Sequence, residues 1–529
     1  MYHQPTDNIP TLIDLEAGES AFPFEIFEII INMVAQSTTE AHLEHQQSQG
    51  FRQSDLISLS LVSKGFHDIC QPHIFRHVVI GADNPIPRLR ELAIMTKENP
   101  TLTAFIHSLT YDELSLTKQD LIEAASNDPF DVLITLPAIN HLSINGDIYN
   151  CRHYHGYVEY SKEMHRYPFP PSYLVSSTLT SLRLNQTKQI DILMAMLCLP
   201  RLERLELRKC IWWDSEGSQL RIPCGGFKLK TIVASISGIH CSFPASLAFE
   251  LTLHSPDLTV LDLEACDLGV PLWDYCSNLL MGKSGTTPFQ RLQSLKFAGP
   301  INWKSLIRFA VKANIKAFPA VKRLHISIFN NSEIFSGPNT IFGHLELVEE
   351  LEIHAAGSKF GHEDDDYKLD IRTLNLQHCF QMSARTLKNI VLHRSLMHHE
   401  QPVEQMHAVV EVLCNALQSV SHDNVIESIE LAIDIDTTEH ILPNDFAFWK
   451  PFDLLLMADH GAAFPRLSSV KIKLVFRQPA VMDQEKLTQQ DYENSVKSCL
   501  GGLLSSPKIN MACDVKVTSG NITGVISSV

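Results

Sequence analysis

An apolar triplet at relative positions 1, 4 and 6 recurs twelve times along this chain, beginning at Ile106, Ile139, Leu179, Leu202, Leu229, Leu258, Leu292, Val321, Val348, Ile371, Ile426 and Leu467. All but the unit from Leu229 end in an apolar, polar, apolar alternation, the pattern of a short strand with one buried face. Successive starts lie 23 to 55 residues apart, so each strand is separated from the next by room for a turn and a helix. Chance alone supplies about fifteen such triplets if roughly three positions in ten are aliphatic. The ninth position is more discriminating. LERLELRKC, LTVLDLEAC and IRTLNLQHC place Cys210, Cys266 and Cys379 there, where chance expects only about 0.3 of a cysteine over all twelve units.

Proline punctuates the same units. FPAV, FPRL, LPRL and SPDL precede the strands at Leu324, Val470, Leu205 and Leu261, so a preceding helix is stopped before the strand begins. Stretches such as IDILMAMLCL, WKSLIRFAVKANI and SARTLKNIVLHRSL carry helical apolar spacing. Taken together the units resemble leucine-rich repeats, whose strands turn out at Asn or Cys. The fold class expected is α/β: an irregular repeat solenoid over 79–529, with a parallel sheet on its concave face and helices outside. A helical pattern from Gln484 to Leu504 and a last strand at Val515–Val517 would cap it.

Strand alternation sends the residues between the apolar ones to the opposite face. These are Arg204, Glu206 and Arg208, then Asp262 and Glu264, Lys296, Arg323 and His325, Glu350, Glu352 and His354, Asn375 and Gln377, and finally Lys471 and Lys473. Their sign changes from strand to strand, so charge compensation between neighbours accounts for many of them. Arg204, Glu206, Arg208, Arg323, His325 and Glu352 are the expected contacts to a bound protein. Tyr154 and Tyr157, in an aromatic-rich insert from Asn145 to Tyr173, are expected to add anchors.

Forty-three basic and sixty acidic side chains give a net charge of -17, which repels phosphate backbones and anionic lipid. Nucleic acid and membrane partners are not expected. No apolar run is long enough to span a bilayer, and the first residues lack a basic segment followed by an apolar core. A cytoplasmic or nuclear location is therefore expected. The twelve cysteines are scattered singly, consistent with reduced thiols. Phosphate-loop, HExxH and GxSxG motifs are absent from the sequence, so no catalytic residue, cofactor or metal is expected. Cys151, His153 and His155 share one side of an extended segment without an evident fourth ligand. His393, His398 and His399 read as a solvated face near a helix end.

A tail over residues 1–20 precedes a distinct apolar segment. Phe22-Pro23-x-Glu25-Ile26 is followed by Ile29 and Ile30, and later by Asp55-Leu56-x-x-Leu59-x-Leu61-Val62-Ser63-Lys64-x-Phe66. This combination resembles the F-box motif, and Pro72, Phe75, Arg76, His77 and Val78 are similar to the extension found in many fungal F-box proteins. The resemblance implies a small all-α module over 21–78. Its function would be to clamp a Skp adaptor, and through it a cullin, while the solenoid holds a target protein for ubiquitination. By position, Phe22, Pro23, Ile26, Ile30, Leu56, Leu59, Val62 and Phe66 would contact the adaptor or support that contact. Pro23 suits a first helical turn, Ser54 or Asp55 would cap the second helix, and Ser63 the third. A polar insert near 36–54 departs from the family pattern and reads as a surface loop. The alternative is an F-box-bearing repeat scaffold or regulator that binds proteins without promoting ubiquitination.

Overall fold

The computed structural model describes residues 26, 29–31, 49–81, 85–112, 136, 138–145, 178–185, 201–208, 227–236, 251–252, 254–265, 289–298, 307, 311, 316–328, 341–356, 371–396, 401–436, 443–479 and 488–520. The chain divides into two compact units, residues 1–111 with 117–140 and residues 112–116 with 141–529. Among the described residues, fourteen strands follow one another in chain order. The protein is thus α/β with parallel strands and intervening helices, a solenoid-like arrangement. Among the described residues, no helix is long and apolar enough to cross a membrane.

In the first unit, residues 26 and 29–31 are helical, followed by helices Gln49–Ser60 and Lys64–Ile74. Ile31, Leu56 and Cys70 form a small core, with Leu59, Phe66, Ile69 and Ile74 packed against it. Ser63 caps the third of these helices, its Oγ accepting from the Phe66 N–H at 3.3 Å. The second helix begins at Gln49, within the stretch expected to be loop, so positions 54 and 55, expected to be its N-cap, lie inside it instead. Strands β1 (His77–Ile80) and β2 (Ser108–Asp112) pair in parallel.

The second unit carries β3 (His141–Asn145), β4 (Ser181–Asn185), β5 (Arg204–Arg208), β6 (Thr231–Ile236), β7 (Val260–Ala265), β8 (Ser294–Ala298), β9 (Arg323–Ile328), β10 (Glu350–Ala356), β11 (Asn389–Leu396), β12 (Ser428–Asp436), β13 (Ser469–Pro479) and β14 (Asn510–Gly520). Eleven of the twelve triplets begin two residues before one of the strands. Their apolar residues are buried, as Leu205 and Leu207, Leu324 and Ile326, or Val470, Ile472 and Leu474 show. A repeated backbone contact fixes the stacking. The carbonyl ahead of most strands accepts two N–H groups from the next: Glu349 from Lys388 and Asn389 at 2.8 and 3.0 Å, and Lys388 from Glu427 and Ser428 at the same distances.

The triplet from Ile371 is the exception. Residues Ile371–Thr373 form a 3-10 turn, and Asn375, expected on a strand face, caps the helix Leu376–Met382 by accepting from the His378 N–H. Gln377 and Cys379 belong to that helix. The stretch SARTLKNIVLHRSL is likewise not helical; its second half is β11. Leu387, Ile390 and Leu392 supply the missing triplet. With Leu387 in place of Ile371, two irregular steps become 39 residues each, from Val348 to Leu387 and from Leu387 to Ile426.

At the C-terminal end, helices Gln489–Cys499 and Gly501–Ser505 precede β14, which is far longer than the expected Val515–Val517. The Asp453 carboxylate anchors the second of these helices, accepting from the N–H groups of Gly502 (3.1 Å) and Leu503 (2.8 Å). A β-carbon at Gly502 would sit 2.8 Å from Asp453 Oδ2 and 3.0 Å from Met457 Cγ. Gly502→Ala is therefore expected to displace the carboxylate and cost about 1–3 kcal/mol. Denaturant unfolding monitored by circular dichroism measures this; an unchanged midpoint would show that Asp453 yields freely.

Candidate functional site

Each unit presents one surface with functional character. In the first, successive helical residues turn by about 100°, so Ile26, Ile29 and Ile30 share one face while Ile31 points nearly opposite. Ile31 is buried in the small core, and the other three are exposed. Ile57, Leu61 and Val62 are also exposed, Leu61 to 81%. Large aliphatic side chains left in water on neighbouring helical segments mark a surface suited to a partner. Of the residues expected to meet an adaptor, Ile26, Ile30 and Val62 are thus solvent-facing. Leu56 is buried, whereas Leu59 and Phe66 are half-buried against the core. Phe22 and Pro23 lie outside the described residues.

In the second unit, the polar face of the parallel sheet carries ordered charge clusters set by strand register. Glu206 on β5 stands opposite Arg183 on β4. Its carboxylate pairs with Arg183 Nε at 3.6 Å, Arg204 Nη2 at 3.3 Å and Arg208 Nε at 2.5 Å. Burial by itself would raise the Glu206 carboxyl, but the charges of Arg183, Arg208 and Arg204 outweigh it and hold it below the usual carboxylate range. Glu206 is buried, not displayed, because the three guanidinium groups cover it. Asp262 and Lys296 pair across β7 and β8 at 3.8 Å. Glu430 on β12 is bridged by Lys471 and Lys473 on β13 at 3.5 and 2.6 Å.

Between these clusters lies a different one. Glu352 on β10 stands opposite His325 on β9, and His354 follows on the same face. Glu352 Oε2 is 2.9 Å from His325 Nδ1, and Oε1 is 2.6 Å from His354 Nε2. Burial pushes His325 below the usual imidazole range, against the pull of Glu352. For Glu352, burial acts upward, but hydrogen bonds and charge from His354 and His325 hold it below the usual range. His393, directly opposite His354 on β11, places Nδ1 3.2 Å from His354 Nδ1 and Nε2 3.5 Å from Asp434 Oδ2. Asp434 in turn meets Arg477 at 3.4 Å.

The expected contacts Arg204, Glu206, Arg208, Arg323, His325 and Glu352 therefore lie on β5, β9 and β10, in two separate clusters, with Arg323 exposed at the start of β9. Tyr154 and Tyr157 lie outside the described residues, as do Cys151, His153, His155, His398 and His399. His393 is a strand residue in the polar cluster, not a helix-end histidine, because the SARTLKNIVLHRSL stretch is half strand. Its role, and those of Asp434 and Glu430, follow from cross-strand register, which the isolated sequence does not display. The described thiols are free, and burial pushes Cys379 up to about 12 and Cys513 up to about 11, which makes both poor nucleophiles. No protein-family model matches the chain. No curated protein matches it either.

Proposed function

We propose that this chain is the non-catalytic substrate-recognition subunit of a Skp-cullin-F-box ubiquitin ligase, acting in the cytoplasm or nucleus. The N-terminal helices dock the Skp adaptor, cullin is reached through it, and the polar sheet face holds the target protein. Partner subunits supply the transfer chemistry. The observation that carries this reading is the exposure of Ile26, Ile29, Ile30, Ile57, Leu61 and Val62 beside the small core that includes Ile31, Leu56 and Cys70. Aliphatic side chains left in water on one surface gain stability when buried against a partner, at about 1.5–3 kcal/mol for each one fully covered. The F-box resemblance of the same residues names the partner. The charge clusters and half-buried polar residues of the sheet suit recognition of a protein surface.

The test is affinity purification of the tagged full chain, with Skp adaptor and cullin probed in the eluate. The double variant Ile30→Asp with Val62→Asp is expected to lower adaptor affinity at least about 100-fold, with helical circular dichroism unchanged because both side chains face solvent. Recovery of neither adaptor nor cullin with the native chain would overturn the proposal.

A further inference from the structure

We propose that His325, Glu352 and His354 form a binding site for a divalent metal ion of the zinc class, with His393 as the residue that positions His354. Two imidazoles and one carboxylate are a donor set suited to Zn²⁺, with the fourth position left for water or for a group on a bound protein. Their donor atoms all lie within 4.8 Å of one another. A tetrahedral ion with bonds of about 2.0–2.1 Å needs donors roughly 3.3 Å apart. Closing on an ion therefore takes side-chain rotations of about an ångström or so, with the strands left in place. The paired backbones of β9 and β10 hold the Cα positions, since Glu352 is opposite His325 in register and His354 is two residues further along.

Comparison with the neighbouring clusters distinguishes this one from ordinary charge compensation. Glu206 is matched by three arginines, Glu430 by two lysines and Asp262 by one lysine. Those cations carry permanent charge and offer no lone pair to a metal. Glu352 is paired with His325 and His354, imidazoles whose ring nitrogens can serve as metal ligands. A carboxylate flanked by two imidazoles is left short of positive charge unless a proton or a metal cation supplies it. The rings are also held in place: His325 and His354 stack with centroids 4.8 Å apart, and His354 meets His393 edge-on at 5.0 Å.

The surroundings of His354 supply an outer layer. When Nε2 faces the ion, Nδ1 needs a partner to fix the ring, and His393 Nδ1 is 3.2 Å away. His393 is itself oriented by Asp434, which Arg477 contacts. Such outer partners typically change metal affinity by about 10–100-fold. The site stands on the second unit alone and does not depend on adaptor docking by the first.

The experiment is titration of the full chain, stripped with chelator, with Zn²⁺ near neutral pH by calorimetry, and separately with Co²⁺ by visible absorption. One equivalent of Zn²⁺ is expected, together with the intense visible band of four- or five-coordinate Co²⁺. His325→Ala combined with His354→Ala should remove both signals. Glu352→Gln, which keeps the side-chain shape, should weaken binding by at least about 100-fold, and His393→Ala by about 10–100-fold with the Co²⁺ band shifted. Circular dichroism of the metal-free variants should match the native chain. Failure of the native chain to bind stoichiometrically, or a Co²⁺ spectrum of the weak hexa-aqua type, would overturn the proposal whether or not the variants fold. Zn²⁺ binding unchanged in the double variant would do the same, since the ion would then sit elsewhere.

Discussion

Phe446→Ala is expected to destabilise the C-terminal repeats by about 3–5 kcal/mol and to unfold them ahead of the rest of their unit. Phe446 is fully buried in the 3-10 segment Pro443–Trp449. Its ring meets Phe476 of β13 edge-on at 6.2 Å and Tyr492 of the helix Gln489–Cys499 edge-on at 6.0 Å. Phe476 and Tyr492 stack on each other at 4.6 Å. One side chain therefore joins three segments distant in sequence, and alanine leaves a void that the rigid sheet cannot close. Each ring pair contributes roughly 0.5–1.5 kcal/mol beyond simple burial. In a stacked-repeat architecture a unit contacts mainly its neighbours, so the loss stays local. Hydrogen exchange read by mass spectrometry checks this: β13 and β14 should lose protection while β4 and β5 keep theirs. A cost below about 1 kcal/mol, or an even loss along the sheet, would contradict the assignment of Phe446 as the keystone of this end.

Strand positions were readable in the sequence because a half-buried strand obeys a rule of period two, and the triplets at Leu202 or Val321 satisfy that rule over several residues. The two failures share one cause. Leu387, Ile390, Val391 and Leu392 are spaced as well for a helix as for a strand, so sequence spacing alone does not favour their triplet over the one at Ile371. Asn375 is ambiguous in the same way: its short polar side chain suits an outward strand position and an N-cap equally, and the fold uses the cap. The start at Gln49 was hidden for a different reason, since GFRQSDLISLS carries few apolar residues before Leu56 and helix formation there rests on packing of Leu56 and Leu59 against Ile31 and Cys70.

The sites were legible as faces but not as clusters. Alternation identified Glu206, His325 and Glu352 as outward residues. It could not show that Arg183, 23 positions earlier in sequence, stands directly opposite Glu206, because partners are assigned by register and register depends on how the intervening segments fold. The same blindness separated His393 from His354, although the two are cross-strand neighbours. The burial of Glu206 is invisible to alternation for a related reason: the arginines that neutralise it also cover it.

That cover makes Glu206→Gln the second large effect, expected at about 2–4 kcal/mol of lost stability near neutral pH. Glutamine keeps the shape and removes the charge, leaving Arg183, Arg204 and Arg208 crowded together without a counter-ion. The cost falls toward the lower part of the range for broken buried pairs because the arginine side chains are 29%, 41% and 47% exposed and can turn into water. The pH dependence has a definite sign. A carboxylate held below its unfolded value contributes fully above the unfolded titration, near about pH 4.3. The contribution is lost as pH falls through the lower folded value. Denaturant unfolding of the native chain and the variant should therefore differ most near neutral pH and converge in acid. A difference that stays constant into acid would mean that the glutamine is felt through packing, and that the three arginines do not hold Glu206 by its charge.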